Sequence, residues 1–330
     1  MLPVSLPALM LMAVTAGVQP PLLRVSLDTG KHELVVELAP LNLPARSGHT
    51  EPPAQRVVIP ADGWVQGYTV DIIDAGGRAL PHELIHHVDL IVPQKRELFS
   101  PIMLRLGAAG SETPPVELPK IFGFRVRRGD TLLVATMFHN DTDRDVAGAR
   151  LVVRLPYVPA DSWWHPVTIY PMYLDVMPPA GPKSYDLPAG HSEQSWEGRP
   201  AVGGRILGMG GHVHKFATAL RLTDVTAGRV LWQTTPITDR AGEIVGMPLK
   251  TFWWRLGLRL DPAHTYRLTA VYDNPTGQMI PLGAMGALGG VYLPDHADAW
   301  PSVDRAAADY VSDLRATTTV MAMPGMAGMH

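Results

Sequence analysis

Short runs of β-branched and aliphatic residues, each stopped by glycine or proline, constrain this chain more than anything else. Leu34-Val35-Val36-Glu37-Leu38, Arg56-Val57-Val58-Ile59 and Tyr68-Thr69-Val70-Asp71-Ile72-Ile73 set the style, and 131–139, 150–158, 167–176, 205–224, 229–234, 256–260 and 265–272 continue it. Side chains branched at Cβ lose rotamer freedom in a helix and pack well on a pleated surface. The 31 glycines and 32 prolines interrupt apolar runs instead of forming low-complexity tracts, which predicts many short strands joined by turns. The expected fold is therefore all-β, with two tandem antiparallel β-sandwiches of jelly-roll type over 21–158 and 159–298. A Pro-rich aromatic passage at 157–166 marks the junction. Residues 302–314 read as a helix within a terminal segment 299–330.

The totals narrow the function classes. Net charge is −3 and the 28 basic residues are scattered, so no nucleic-acid footprint is present. Cysteine is absent, which removes disulfides, thiolate nucleophiles and Cys-ligated zinc or iron–sulfur sites. Residues 1–20 read as a signal peptide and linker. Leu6 to Ala16 is almost wholly apolar and Val14-Thr15-Ala16 offers small cleavage residues, although Met1 to Pro7 lacks the usual basic residue. That stretch is too short to span a bilayer, and no other segment approaches a transmembrane length. An exported protein, periplasmic or extracellular, is the expectation.

Histidine and methionine carry the chemistry, in four clusters. They are His82-Glu83-Leu84-Ile85-His86-His87, Met137-Phe138-His139-Asn140-Asp141, Gly211-His212-Val213-His214, and Tyr272-Asp273-Asn274-Pro275 running on to Gly283-Ala284-Met285-Gly286. On a strand, residues i and i+2 share a face at roughly 3.3 Å rise per residue, so His212 and His214 can aim two imidazoles at one point. Imidazole plus thioether is a soft donor set that suits copper passing through Cu(I). His82-Glu83-x-x-His86 also matches the zinc-peptidase signature, in which a helix presents both histidines and the glutamate activates water. Pro81 before it and the strand-like 88–93 after it leave little room for that helix.

Tandem His-His, a strand-borne His-Asn, HxH and then Met, in this order over about residues 80–295, resembles the type II copper, ascorbate-dependent monooxygenases. That family includes peptidylglycine α-hydroxylating monooxygenase and dopamine β-monooxygenase. The resemblance implies two copper ions per chain. His86, His87 and His139 would form an electron-storing site in the first domain. His212, His214 and Met285 would form the oxygen-activating, catalytic site in the second. It further implies hydroxylation of a C–H bond of a small molecule or peptide by O₂, with ascorbate or another one-electron donor as reductant.

Several readings stay open. Adjacent residues of a regular strand point to opposite faces, so His86 and His87 share one ion only if a bulge or strand end re-aims one of them; otherwise His82 takes a place. Met279 competes with Met285, and the setting Gly283-Ala284-Met285-Gly286 favours the latter. Where the peptide hydroxylase holds its substrate carboxylate, this chain carries Gly210-Gly211 and Gly286-Ala287-Leu288-Gly289, so peptidylglycine is an unlikely substrate and a more open or apolar pocket is expected. The Met-rich tail 321–330 resembles Cu(I)-capturing segments. Trp163-Trp164 and Trp253-Trp254 are expected to pack the domain interface. A non-catalytic copper-binding or copper-handling protein is the alternative, with a zinc peptidase on His82, Glu83 and His86 behind it.

Overall fold

The computed structural model describes residues 23–318 except 112, 180, 241 and 253–255. The leader, the Met-rich tail and Trp253-Trp254 lie outside the described residues. The chain is all-β with one α-helix among those residues. Two large hydrophobic cores organise it. The first gathers Leu34, Val36, Ile72, Val88, Leu90, Phe138 and Val153, among others from the N-terminal half. The second gathers Met172, Leu174, Ile206, Leu220, Leu268, Tyr272 and Leu288.

Each core lies between two sheets. In the first half, strands Gln55–Val58, Thr131–His139, Ile85–Arg96 and Met103–Ala109 form one layer, and Glu33–Leu38, Gly67–Ile73 and Val146–Pro159 contribute to the other. In the second half, Gly190–Gly198, Tyr266–Asn274, Ala217–Asp224 and Arg229–Thr234 face a layer of Val167–Asp175, Gly286–Pro294 and Gly204–Val213. Thr131–His139 has the bounds its sequence predicts. The 205–224 run is two strands, broken at His214 to Phe216, where Phe216 takes a left-handed φ of 72°.

The halves are more closely joined than tandem sandwiches need be. Phe122–Val126 pairs in parallel with Val167–Asp175, so one hydrogen-bonded sheet runs through both antiparallel sandwiches. The hairpin between Arg96 and Met103 reaches across the seam. Its Leu98 and Phe99 are buried in the second core. Glu97, fully buried, accepts hydrogen bonds from the Arg105 N–H at 2.6 Å on one side and the Tyr173 N–H at 3.1 Å on the other. Burial pushes its carboxyl up to about 7 in spite of those donors.

The helix, Ala308–Thr318, begins later than the sequence suggests. Ser302 bridges to Lys95 in a strand-like contact, and the Asp304 carboxylate caps the Ala306 N–H, holding the chain in a turn first. The helix then braces the outer face of the first half. Tyr310 packs with Ile91, Met103 and Leu133, and Asp313 forms an ion pair with Arg105 at 2.5 Å. Trp163 is 97% exposed and does not pack as expected, while Trp164 is half-buried. Trp300 does the packing instead, stacked on Tyr170 at 4.0 Å with its Nε1 donating to the Arg96 carbonyl.

Candidate metal centres

The first histidine group is made by a defect in a strand. Ile85 pairs with Phe138 and His87 with Met137, so the register shifts between Met137 and Phe138 and His86 is the inserted residue of a bulge. A bulge of this kind turns two successive residues toward one side. Ile85 and Val88 on either side are both fully buried in the first core, which leaves His86 and His87 on the outer face together. His139 ends the neighbouring strand on the same face. The His86 ring centre stands 5.4 Å from that of His87 and 5.5 Å from that of His139.

What fixes His139 is the residue after it. Asn140 is fully buried; its Nδ2 donates to the carbonyls of Leu43 and Arg144, both at 2.8 Å, and its Oδ1 accepts from the Thr142 N–H and hydroxyl. Two carboxylates flank the group, Asp89 at 3.9 Å from His87 Nε2 and Asp141 at 3.7 Å from His139 Nε2. Met137 lies opposite His87 and two residues before His139, on the same face, and is nearly buried. Sequence reasoning placed it in the cluster without giving it a role, and its signal was the period-two spacing to His139.

His82 is elsewhere. It opens a single 3₁₀ turn, His82–Leu84, and its Nε2 lies 2.7 Å from the Val70 carbonyl oxygen. The chain is a strand from Ile85 onward. His82 and His86 therefore never share a helical face, and the peptidase arrangement is not formed.

The second group sits where three strands end. His212 and Val213 pair with Ala287 and Gly286, the last pairs of that ladder; His214 follows Val213 and Met285 precedes Gly286. Val213 packs into the core while His212 is exposed, and the His212 and His214 ring centres are 5.4 Å apart at 88°. The strands approach closely because the core-facing positions are glycines. A Cβ on Gly211 would lie 2.4 Å from Leu220 Cδ2, and one on Gly286 2.7 Å from Ala270 Cβ. The Tyr272 hydroxyl accepts from the backbone N–H of His214 at 3.0 Å and of Met285 at 3.1 Å, and donates to the Met285 carbonyl. Met279, the competitor, is 57% exposed. A cleft of about 390 Å³ opens beside His214, lined by Phe216, Ile244, Ile280 and Gly283, with the Lys215–Glu243 ion pair at its edge.

Both groups look out of their sandwiches. The face bearing His212 continues across the sheet as two rows, His212–Ala287–Asp175 and Gly210–Gly289–Tyr173. A Cβ on Gly289 would meet open space, and one on Gly210 only the side chain of Leu249, itself 73% exposed. The result is a shallow trough floored by small residues. At its far end Tyr173 donates to buried Asp175; burial and then that carboxylate push the phenol far up, and burial outweighs the phenol in raising Asp175. Strand Met103–Ala109 of the first half packs against this end.

Two imidazoles on one ion, at about 2 Å per metal–nitrogen bond, hold their ring centres about 5 Å apart. The three measured spacings fit that value. No set of three His, Asp or Glu side chains among the described residues meets the geometry of a closed site. The candidate third donor of the second group, Met285, is a thioether and so lies outside that set of side chains. An imidazole pair with a thioether is a softer donor set than magnesium or most zinc sites use, whereas three imidazoles suit zinc as well as copper.

No family model matches the chain, and no curated protein does. Among solved structures it is similar to the major capsid protein P2 from bacteriophage PM2, at 10% identity over 79% of this chain and 99% of that one, TM-score 0.37. It is also similar to PNGase F, a glycosylasparaginase from Flavobacterium meningosepticum, at 11% identity over 79% and 96%, TM-score 0.39. PNGF-II gives 10% over 80% and 66%, TM-score 0.41. Likeness this distant transfers no residue role. Among the described residues no helix is long and apolar enough to cross a membrane.

Proposed function

We propose that this chain is an exported, copper-dependent monooxygenase that hydroxylates a C–H bond with O₂ and a one-electron reductant such as ascorbate. One arrangement supports the reading: a strand bulge puts His86 and His87 on the face of His139, and the Tyr272 hydroxyl bonds the backbones of both His214 and Met285 beside His212. His86, His87 and His139 would hold one ion, and His212, His214 and Met285 the other. Bound copper would supply one-electron chemistry with O₂; a thioether among its donors favours the reduced, O₂-reactive state.

The chain's own part is positioning and access. His212 is exposed, so the second centre would be open to solvent. The trough over Gly210, Ala287 and Gly289 runs directly from it. With Leu249 at its edge and small residues along its floor, it suits an apolar substrate, and the cation at its far end, Arg105 over the Tyr173 ring, is already held by Asp313.

Metal analysis with Cu(II) EPR and oxygen uptake tests the proposal. Two coppers per chain and ascorbate-driven O₂ consumption are expected. Met285→Ile should keep two Cu(II) sites and stop O₂ consumption. Gly289→Leu, which has room for its side chain, should raise KM about tenfold or more by filling the trough. Copper bound without O₂ consumption would point to a copper-handling protein; one zinc and no copper would end the proposal.

A further inference from the structure

The two halves repeat one hydrogen-bonded turn bond for bond. In the first, Asn140 Nδ2 donates to Leu43 and Arg144 carbonyls, Thr142 donates through both N–H and hydroxyl to Asn140 Oδ1, and the Arg144 N–H returns to the Thr142 hydroxyl. In the second, Asn274 Nδ2 donates to Pro188 and Gln278 carbonyls, Thr276 donates twice to Asn274 Oδ1, and the Gln278 N–H returns to Thr276. The preceding residues are thereby equivalent: Phe138 with Tyr272, and His139 with Asp273. Both aromatic rings are fully buried in their cores. What distinguishes them is one hydroxyl.

That hydroxyl makes three bonds, all to the backbone of the second histidine–methionine group. The first group needs no such contact, because its bulge and its adjacent strands set the geometry. The second draws His214 and Met285 from the ends of two strands, just past their last ladder pair, Val213 with Gly286. The ladder pairs their neighbours but does not pair those two residues with each other. We propose that Tyr272 is the positioning residue of the second centre, holding the His214 and Met285 backbones together so that thioether and imidazole converge on one soft ion. This rests on the reading of His212, His214 and Met285 as a copper site, and it adds a residue that sets that site's Cu(I) affinity alone.

The test compares Tyr272→Phe, which gives the second half the first half's residue, with Tyr292→Phe. Tyr292 is equally buried in the same core and donates its hydroxyl to the Val202 carbonyl at 2.9 Å, away from the site. Cu(I) competition with a chromophoric chelator reads both sites, and X-ray absorption reads copper–sulfur scattering. Tyr272→Phe should weaken one site about 10- to 100-fold and reduce the sulfur signal, with the other site unchanged. Tyr292→Phe should lower the melting temperature and leave both affinities alone. Unchanged affinities in Tyr272→Phe, or the same loss in Tyr292→Phe, would overturn the role. A wild-type protein with no copper–sulfur scattering would instead remove the site itself, and the role with it. Should Tyr272→Phe fail to fold, amide exchange on the wild type decides: the His214 and Met285 N–H groups must be protected, and fast exchange at both overturns the proposal.

Discussion

The first half of the molecule gathers its histidines by distorting one strand, whereas the second half gathers its donors by tying the ends of three. A bulge is a local device. It needs His86, His87 and a partner strand, and the ladder on either side holds it rigid. The second group has no ladder beyond Val213 and depends on a core tyrosine reaching out to it. Two sandwiches with the same turn at the same place thus carry their candidate metal donors on different sheets: on the Ile85–Arg96 layer in the first, on the Gly204–Val213 layer in the second. The lesson is that a shared fold supplied frames, and separate local features supplied the sites.

The largest effect should come from the brace that only the first half possesses. Arg105 is held by Asp313 and nearly out of solvent; burial alone would depress its pKa, but the Asp313 hydrogen bond and charge raise it. Asp313→Ala leaves that cation unpaired, and breaking a buried pair from one side costs about 3–5 kcal/mol. Chemical unfolding followed by amide exchange should show the loss in strands 85–96 and 103–109. An equal loss throughout the second half would mean the two halves unfold as one unit.

Next come the centres themselves. His86→Ala and His212→Ala should each cost on the order of 100-fold or more in copper affinity at one site and spare the other. Titration with copper, one variant at a time, checks this. If either variant weakens both sites, the separation into two centres fails.

The repeated turns should respond alike. Asn140→Ala and Asn274→Ala each strand several buried donors and acceptors, and about 2 kcal/mol or more of stability should be lost in either case. Their consequences should differ. Asn140 directly follows a candidate ligand, so its loss should disturb the first site's EPR signal; Asn274 follows Asp273, and its loss should leave both signals near wild type. Urea titration with EPR on the same samples makes the comparison.

Much of this was legible in the sequence. Strands such as 131–139 and the HxH pair were readable because a period of two with β-branched residues has few other meanings. The bulge, too, left a trace. Ile85, Val88, Leu90 and Val92 are all core residues, so the apolar spacing is three, then two, then two, and the odd step falls on the two histidines. The role of Tyr272 left none, because a tyrosine in a strand reads as core and its hydroxyl's partners lie 58 and 13 residues away. The helix start at 308 and the exposure of Trp163 were missed for a similar reason: both depend on long-range contacts, Ser302 with Lys95 and Trp300 with Tyr170, that no local pattern encodes.

The smallest effect concerns the seam, where the two halves meet on one carboxyl. Glu97 has an ordinary value of 4.5 and a folded value of about 7, raised by burial and only partly opposed by the N–H groups of Arg105 and Tyr173. Between those values the folded protein binds more protons than the unfolded one, so this group's contribution makes stability fall as pH rises from 4.5 to about 7 and level off above. One proton bounds the slope at about 1.4 kcal/mol per pH unit. Glu97→Gln cannot ionise, and its amide nitrogen faces one of the two backbone donors, so the variant should be less stable at low pH yet lack that slope. Urea unfolding at pH 5, 6 and 7 separates the two effects. A slope unchanged in Glu97→Gln would place the pH dependence elsewhere, and the seam would then be an ordinary packed contact between two halves that differ only in how they hold their histidines.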